Sequence, residues 1–213
     1  MAKTRYEERQ RRKAVQRAAA EQSAHRTSLM WRGAGIVLVV IVATVSYSLY
    51  AKRQLLEEVK TANYPAGLHV AGPIVYTENP PIGGQHNVVW QNCGMYDAPI
   101  HSEHAVHSME HGAVWITYRP NLAPDQVQRL REVASDDYLL LSPYPGLAHP
   151  VVASAWNHQL TFERADDPGL PAFIAKYKNN PETTPEFGAS CGGGTRALAT
   201  MDSLTTISGA MTR

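Results

Sequence analysis

The chain has 213 residues, 44% of them apolar and 18% charged, which excludes a disordered polymer and leaves room for one core of ordinary size. Its formal net charge of +1 conceals an uneven spread: residues 1–32 carry nine Lys/Arg and three Glu, the remainder eleven Lys/Arg against sixteen Asp/Glu. The basic charge sits in an Arg/Ala/Gln-rich leader without apolar periodicity, so nucleic acid is not an expected partner.

Residues 1–28 read as a basic cytoplasmic segment. From Gly33 to Tyr50 there are eighteen residues without a charge. Extending the run back to Leu29 supplies the roughly 20 residues that cross about 30 Å of hydrocarbon. Trp31, Tyr47 and Tyr50 suit interfacial positions, and the basic excess ahead of the run orients its N-terminus inward. The expectation is a transmembrane helix over 29–50, a single-pass anchor in the cell membrane, with the rest of the chain extracytoplasmic. Partners would be the membrane and other subunits of a membrane complex. A cleaved signal peptide competes, but the apolar run is long and no A-x-A site follows Tyr50.

A linker helix is expected over 51–63, an extracytoplasmic domain over 64–191 and a disordered tail over 192–213, where few large apolar side chains remain. Turn formers crowd the start of the domain, with a short apolar run, Ile74-Val75-Tyr76, among them. Ala113 to Tyr118 is a strand signal closed by Arg119-Pro120. A helix then starts at Pro124, with Leu122 and Val127 as a staple and Val127, Leu130, Val133 and Ala134 on one face. Tyr138 to Leu141, Val151 to Trp156 and Leu160 to Phe162 read as strands. A last helix begins at Asp167-Pro168 and buries Leu170, Phe173, Ile174 and Tyr177. The fold expected is α+β: a transmembrane helix, then a small domain with a mainly antiparallel sheet and two or three helices.

Cys93 and Cys191 are the only cysteines, and outside the cell a disulfide between them is the default. The rival reading, a copper thiolate near Met95, lacks a local His-Met pair. The histidines carry the chemistry. Four of nine fall in eleven residues, His101, His104, His107 and His111, with His86 upstream. Imidazole is a common metal donor, so such density points to a metal. His25, His69, His149 and His158 read as ordinary surface or hydrogen-bonded residues.

Two geometries are open. On a helix, His104, His107 and His111 fall within about 60 degrees of arc, and His107-x-x-Glu110-His111 has the order of inverted zinc proteases, with Glu110 as the base. Against this, Gly112 would end that helix where its ligands sit. On a strand, His107, Met109 and His111 share a face, a set that suits copper.

Asn79-Pro80-Pro81-Ile82-Gly83-Gly84-Gln85-His86, Trp90, Gly94-x-Tyr96-Asp97-x-Pro99, Val106-His107-Ser108-Met109-Glu110-His111-Gly112 and Tyr118-Arg119-Pro120 together resemble a family of membrane-anchored proteins. It is frequent in high-GC Gram-positive bacteria and known only as a domain of unknown function. The resemblance covers about residues 64–178 and implies that His86, Trp90, Tyr96, His107, Glu110 and His111 hold motif positions, while His101 and His104 fall outside the pattern. It implies no activity.

The reading that results is a metal-binding protein, not primarily an enzyme, with His86, His107 and His111 as ligands of a copper or zinc ion, copper favoured. Glu110 and Tyr96 would orient the ligand rings. A zinc-dependent hydrolase and a metal-free assembly subunit are the alternatives.

Overall fold

The computed structural model describes residues 11–13, 17, 31, 35, 37–51 and 53–199. The chain divides into two units, Met1–Ala51 and Lys52–Arg213. In the first, most of the expected cytoplasmic segment lies outside the described residues, and residues 37–51 are helical. The expected membrane span is corrected here: among the described residues, no helix is long and apolar enough to cross a membrane. The single-pass, extracytoplasmic localisation built on that span is withdrawn with it.

The second unit contains β1 (Lys60–Thr61), β2 (Gly94–Met95), α1 (Ser102–Glu110), β3 (Val114–Tyr118), α2 (Pro124–Val133), β4 (Leu139–Pro143), β5 (Val151–Ala155), β6 (His158–Phe162) and α3 (Gly169–Tyr177). β1 occupies ground expected to be linker helix. Ile74-Val75-Tyr76 forms no strand; Val75 has no partner layer and is 65% exposed. The strands make one sheet in the order β1-β6-β5-β3-β4-β2. Pairings β1/β6, β5/β6 and β3/β5 are antiparallel, while β3/β4 and β2/β4 are parallel. The α+β class therefore stands, but the sheet is mixed, with two of its five pairings parallel. The reason is α2: a helix between two neighbouring strands carries the chain back to its starting end, so β4 must run parallel to β3.

Period-two alternation sorts the side chains of β3 to two faces. Val114, Ile116 and Tyr118 pack with Leu139, Leu141, Leu130 of α2 and Leu170 and Phe173 of α3. Trp115 faces the other way, with Leu140, Tyr96, Ile100 and the Val106 and Met109 side chains of α1. Pro124 starts α2 at its first turn. Before α3, Asp167 Oδ1 accepts the Gly169 N–H at 2.7 Å.

Cys93 and Cys191 form a disulfide across a sequence separation of 98. Residues 192–199, read as tail, lie along the domain: Thr195 bridges Gln91, Leu198 bridges Ile100, and the Thr195 N–H donates to the Trp90 carbonyl at 2.9 Å. Residues 200–213 lie outside the described residues.

Gly112 joins α1 to β3 with a φ of +102°, and a Cβ there would stand 2.9 Å from Asn179 Cα. Gly112→Ala is therefore expected to destabilise the fold by about 2–4 kcal/mol, left-handed strain and overpacking acting together. Chemical denaturation of the variant would check this, and an unchanged midpoint would contradict it.

Candidate metal centre

The histidine-rich run is a helix, α1, so the strand reading that placed His107, Met109 and His111 on one face does not hold. Met109 lies 1% exposed in the core beside Trp115, and His107, Glu110 and His111 turn toward the loops. The helix ends at Glu110 with His111 as its C-cap. A helix this polar can be buried because its side chains meet backbone acceptors on segment 87–91. His107 Nδ1 donates to the Asn87 carbonyl (2.7 Å), His104 Nδ1 to the Val89 carbonyl (2.5 Å) and the Ser108 hydroxyl to the Gln91 carbonyl (2.7 Å).

Two further loops complete the site. A bridge couples them: the His86 N–H donates to the Leu68 carbonyl (3.1 Å) and the Val70 N–H to the His86 carbonyl (2.8 Å). This register sets the His69 ring edge-on to the His86 ring at 4.7 Å, and the His107 ring lies 4.7 Å from His69 and 4.8 Å from His86. His69, His86, His107 and Glu110 each offer one ligand atom, all within 4.8 Å of one another. His86 and Glu110 are fully buried.

A main-chain carbonyl can only accept, so a ring nitrogen bonded to one must carry the hydrogen. His86 Nδ1 donates to the Gly84 carbonyl at 2.8 Å, as His107 Nδ1 does to Asn87. Both rings therefore turn Nε2 inward, and backbone bonds of this kind fix the tautomer and orientation of metal-ligating histidines. Glu110 Oε1 accepts the Gly67 N–H at 2.6 Å, and Oε2 stands 2.8 Å from His86 Nε2 and 3.8 Å from His69 Nε2. Close as they are, Glu110 Oε2 and His86 Nε2 are buried and, with the His86 hydrogen on Nδ1, neither has a hydrogen-bond partner. A carboxylate and an imidazole nitrogen facing each other in this way call for a proton or a cation.

The titration behaviour follows from the same contacts. Burial opposes the His86 imidazolium, but the Glu110 carboxylate and the Gly84 carbonyl outweigh it and its pKa lies above the ordinary histidine value. Burial pushes the Glu110 carboxyl up, yet His86, the Gly67 N–H and His107 hold it below the ordinary carboxylate value. His107 has no such partner; burial, opposed by Asn87 and reinforced by the neighbouring histidines, lowers it to about 4. At neutral pH its Nε2 is a free lone pair.

His107 also belongs to a second group, with His111 and Glu186. His111 Nδ1 donates to the Ser190 carbonyl at 2.8 Å, and its Nε2 lies 3.1 Å from Glu186 Oε2. The Trp90 ring leans on His111 at 4.8 Å.

Of the expected ligands, then, His86 and His107 share the first group, while His111 shares the second with His107. Glu110, expected to orient a ring, has its carboxylate among the potential ligand atoms. Tyr96 lies elsewhere: it packs in the core and its hydroxyl donates to the Asn92 carbonyl at 2.5 Å. His101 and His104 enter neither group. His69 and Glu186 were missed, because each lies outside the histidine run and only loop pairing brings it in.

The fold and the site define an α+β domain carrying a buried histidine–carboxylate cluster. The family described as "Protein of unknown function (DUF3105)" matches residues 69–193, more than half of the chain, and the chain belongs to it. No curated protein and no solved structure matches the chain.

Proposed function

We propose that the domain binds one divalent transition-metal ion through Nε2 of His69, His86 and His107 and the carboxylate of Glu110. The observation that supports this reading is the buried pair of facing acceptors, His86 Nε2 and Glu110 Oε2, 2.8 Å apart, with the Nδ1 atoms of His86 and His107 committed to backbone carbonyls. The donor set is nitrogen and oxygen without sulfur, since Met109 is in the core and the cysteines are paired. Such a set suits a borderline ion of the zinc type better than cuprous copper. Binding is favoured over hydrolysis because the Glu110 carboxylate is fully buried, with one oxygen held by the Gly67 N–H and the other turned to His86, where it can ligate an ion but does not meet bulk water.

In the metal-free protein a proton on His86 satisfies the pair, and the ion displaces it. The sign follows: His86 has a raised pKa, so protons compete increasingly as pH falls, and metal affinity should fall with them. Dialysed full-length protein titrated with zinc should take up one ion per chain, and affinity should drop by about tenfold or more between about pH 8 and about pH 6, with proton release on binding. Metal analysis finding no bound ion at any pH in this range would leave the cluster a plain buried ion pair and sink the reading.

A further inference from the structure

We propose that His111 and Glu186, together with His107, form an outer metal position that is occupied alternately with the inner one and passes the ion to it. The inference rests on the reading of the inner cluster as a metal site. His107 is a member of both groups, and with its Nδ1 held by the Asn87 carbonyl the one lone pair it can offer to either is on Nε2. One lone pair serves one ion at a time, and the two positions exclude each other. His111 is built like an inner ligand, its Nδ1 on a backbone carbonyl and its Nε2 toward a carboxylate.

The two positions differ in access. The inner carboxylate, Glu110, is fully buried, whereas the Glu186 side chain is 43% exposed and can meet a hydrated ion. Each position supplies one carboxylate, so an ion moves between them without a change in the charge it faces. The segment carrying Glu186 is held in place: the Glu186 N–H donates to the Glu110 carbonyl at 3.1 Å, and the Cys93 N–H donates to the Cys191 carbonyl at 2.9 Å beside the disulfide. An ion released by Glu186 and His111 stays on His107 while Glu110 and His86 take it up.

The test is zinc loading of the full chain, followed by stopped-flow with a zinc-sensitive dye, and zinc release to a chelator. Glu186→Gln and His111→Ala should each keep one zinc per chain at equilibrium while loading and release slow by about tenfold or more. Glu110→Gln should retain a weaker zinc, and adding Glu186→Gln to it should remove that ion. Glu186→Gln is conservative and at a half-exposed position, so its rate is readable even if His111→Ala does not fold. Wild-type rates in Glu186→Gln, or two zinc ions per wild-type chain, would overturn the outer position and leave the inner site standing. A wild-type chain that takes up no zinc would overturn the reading beneath it.

Discussion

His107→Ala is expected to abolish stoichiometric zinc uptake, lowering affinity by more than about 100-fold, the upper end of what loss of a ligand's supporting partner costs. It is the one residue in both ligand groups, so its loss leaves no intact position. The effect should be one of coordination and not of net charge, because burial and the surrounding histidines keep the ring neutral near pH 7. His101→Ala, in neither group, is expected to bind as the wild type does and serves as the control for removal of an imidazole from the N-cap of α1. Isothermal titration with zinc, run beside circular dichroism to confirm the fold, measures the difference. One tightly held ion in a folded His107→Ala protein would refute the site.

The second large effect is expected from the disulfide. Closing a loop of this length, 98 residues in separation, is worth about 4.7 kcal/mol if the cross-link acts by restricting the unfolded chain. Reduction, or the double substitution Cys93→Ser with Cys191→Ser, should therefore move chemical denaturation to markedly lower denaturant. The local consequence is specific. Cys191 follows Ser190, whose carbonyl orients His111, so the reduced protein should lose order at His111 and Glu186 first. The loops carrying His69 and His86 are bridged to each other and not to this segment, so one equilibrium zinc should survive reduction in the folded protein. Coincident denaturation curves with and without reductant would count against the stabilisation; zinc lost on reduction without unfolding would count against the separation of the two positions.

Much of the domain was legible in the sequence. Ala113 to Tyr118 is rich in β-branched and aromatic residues and β3 forms there; Pro124 and Asp167-Pro168 mark helix starts where α2 and α3 begin; two cysteines with no local partners pair. These signals are local, or involve one possible pairing. The run from His101 to His111 was ambiguous for the opposite reason: its histidines fit a helical period and its His107-Met109-His111 subset fits a strand. In the folded domain the run is helical, with Met109 packed in the core beside Trp115 and Leu140. The apolar stretch before Tyr50 met a composition rule for membrane spans, yet among the described residues no helix is long and apolar enough to cross a membrane.

What the sequence determined by itself is the set of elements whose periodicity sorts apolar from polar side chains, together with the dense imidazole run and the cysteine pair. What only the tertiary structure decided is how the loops use them. The parallel pairing of β4 with β3, the placing of His69 against His86 and the bringing of Glu186 to His111 leave no periodic trace. Each depends on contacts between residues far apart in the chain, such as the Leu68–His86 bridge. Glu110 shows the division most plainly: its place one turn after His107 can be read from the chain, but its value as a ligand comes from the Gly67 N–H and the His86 ring, which fix its two oxygens in a buried site where an unpaired charge is costly.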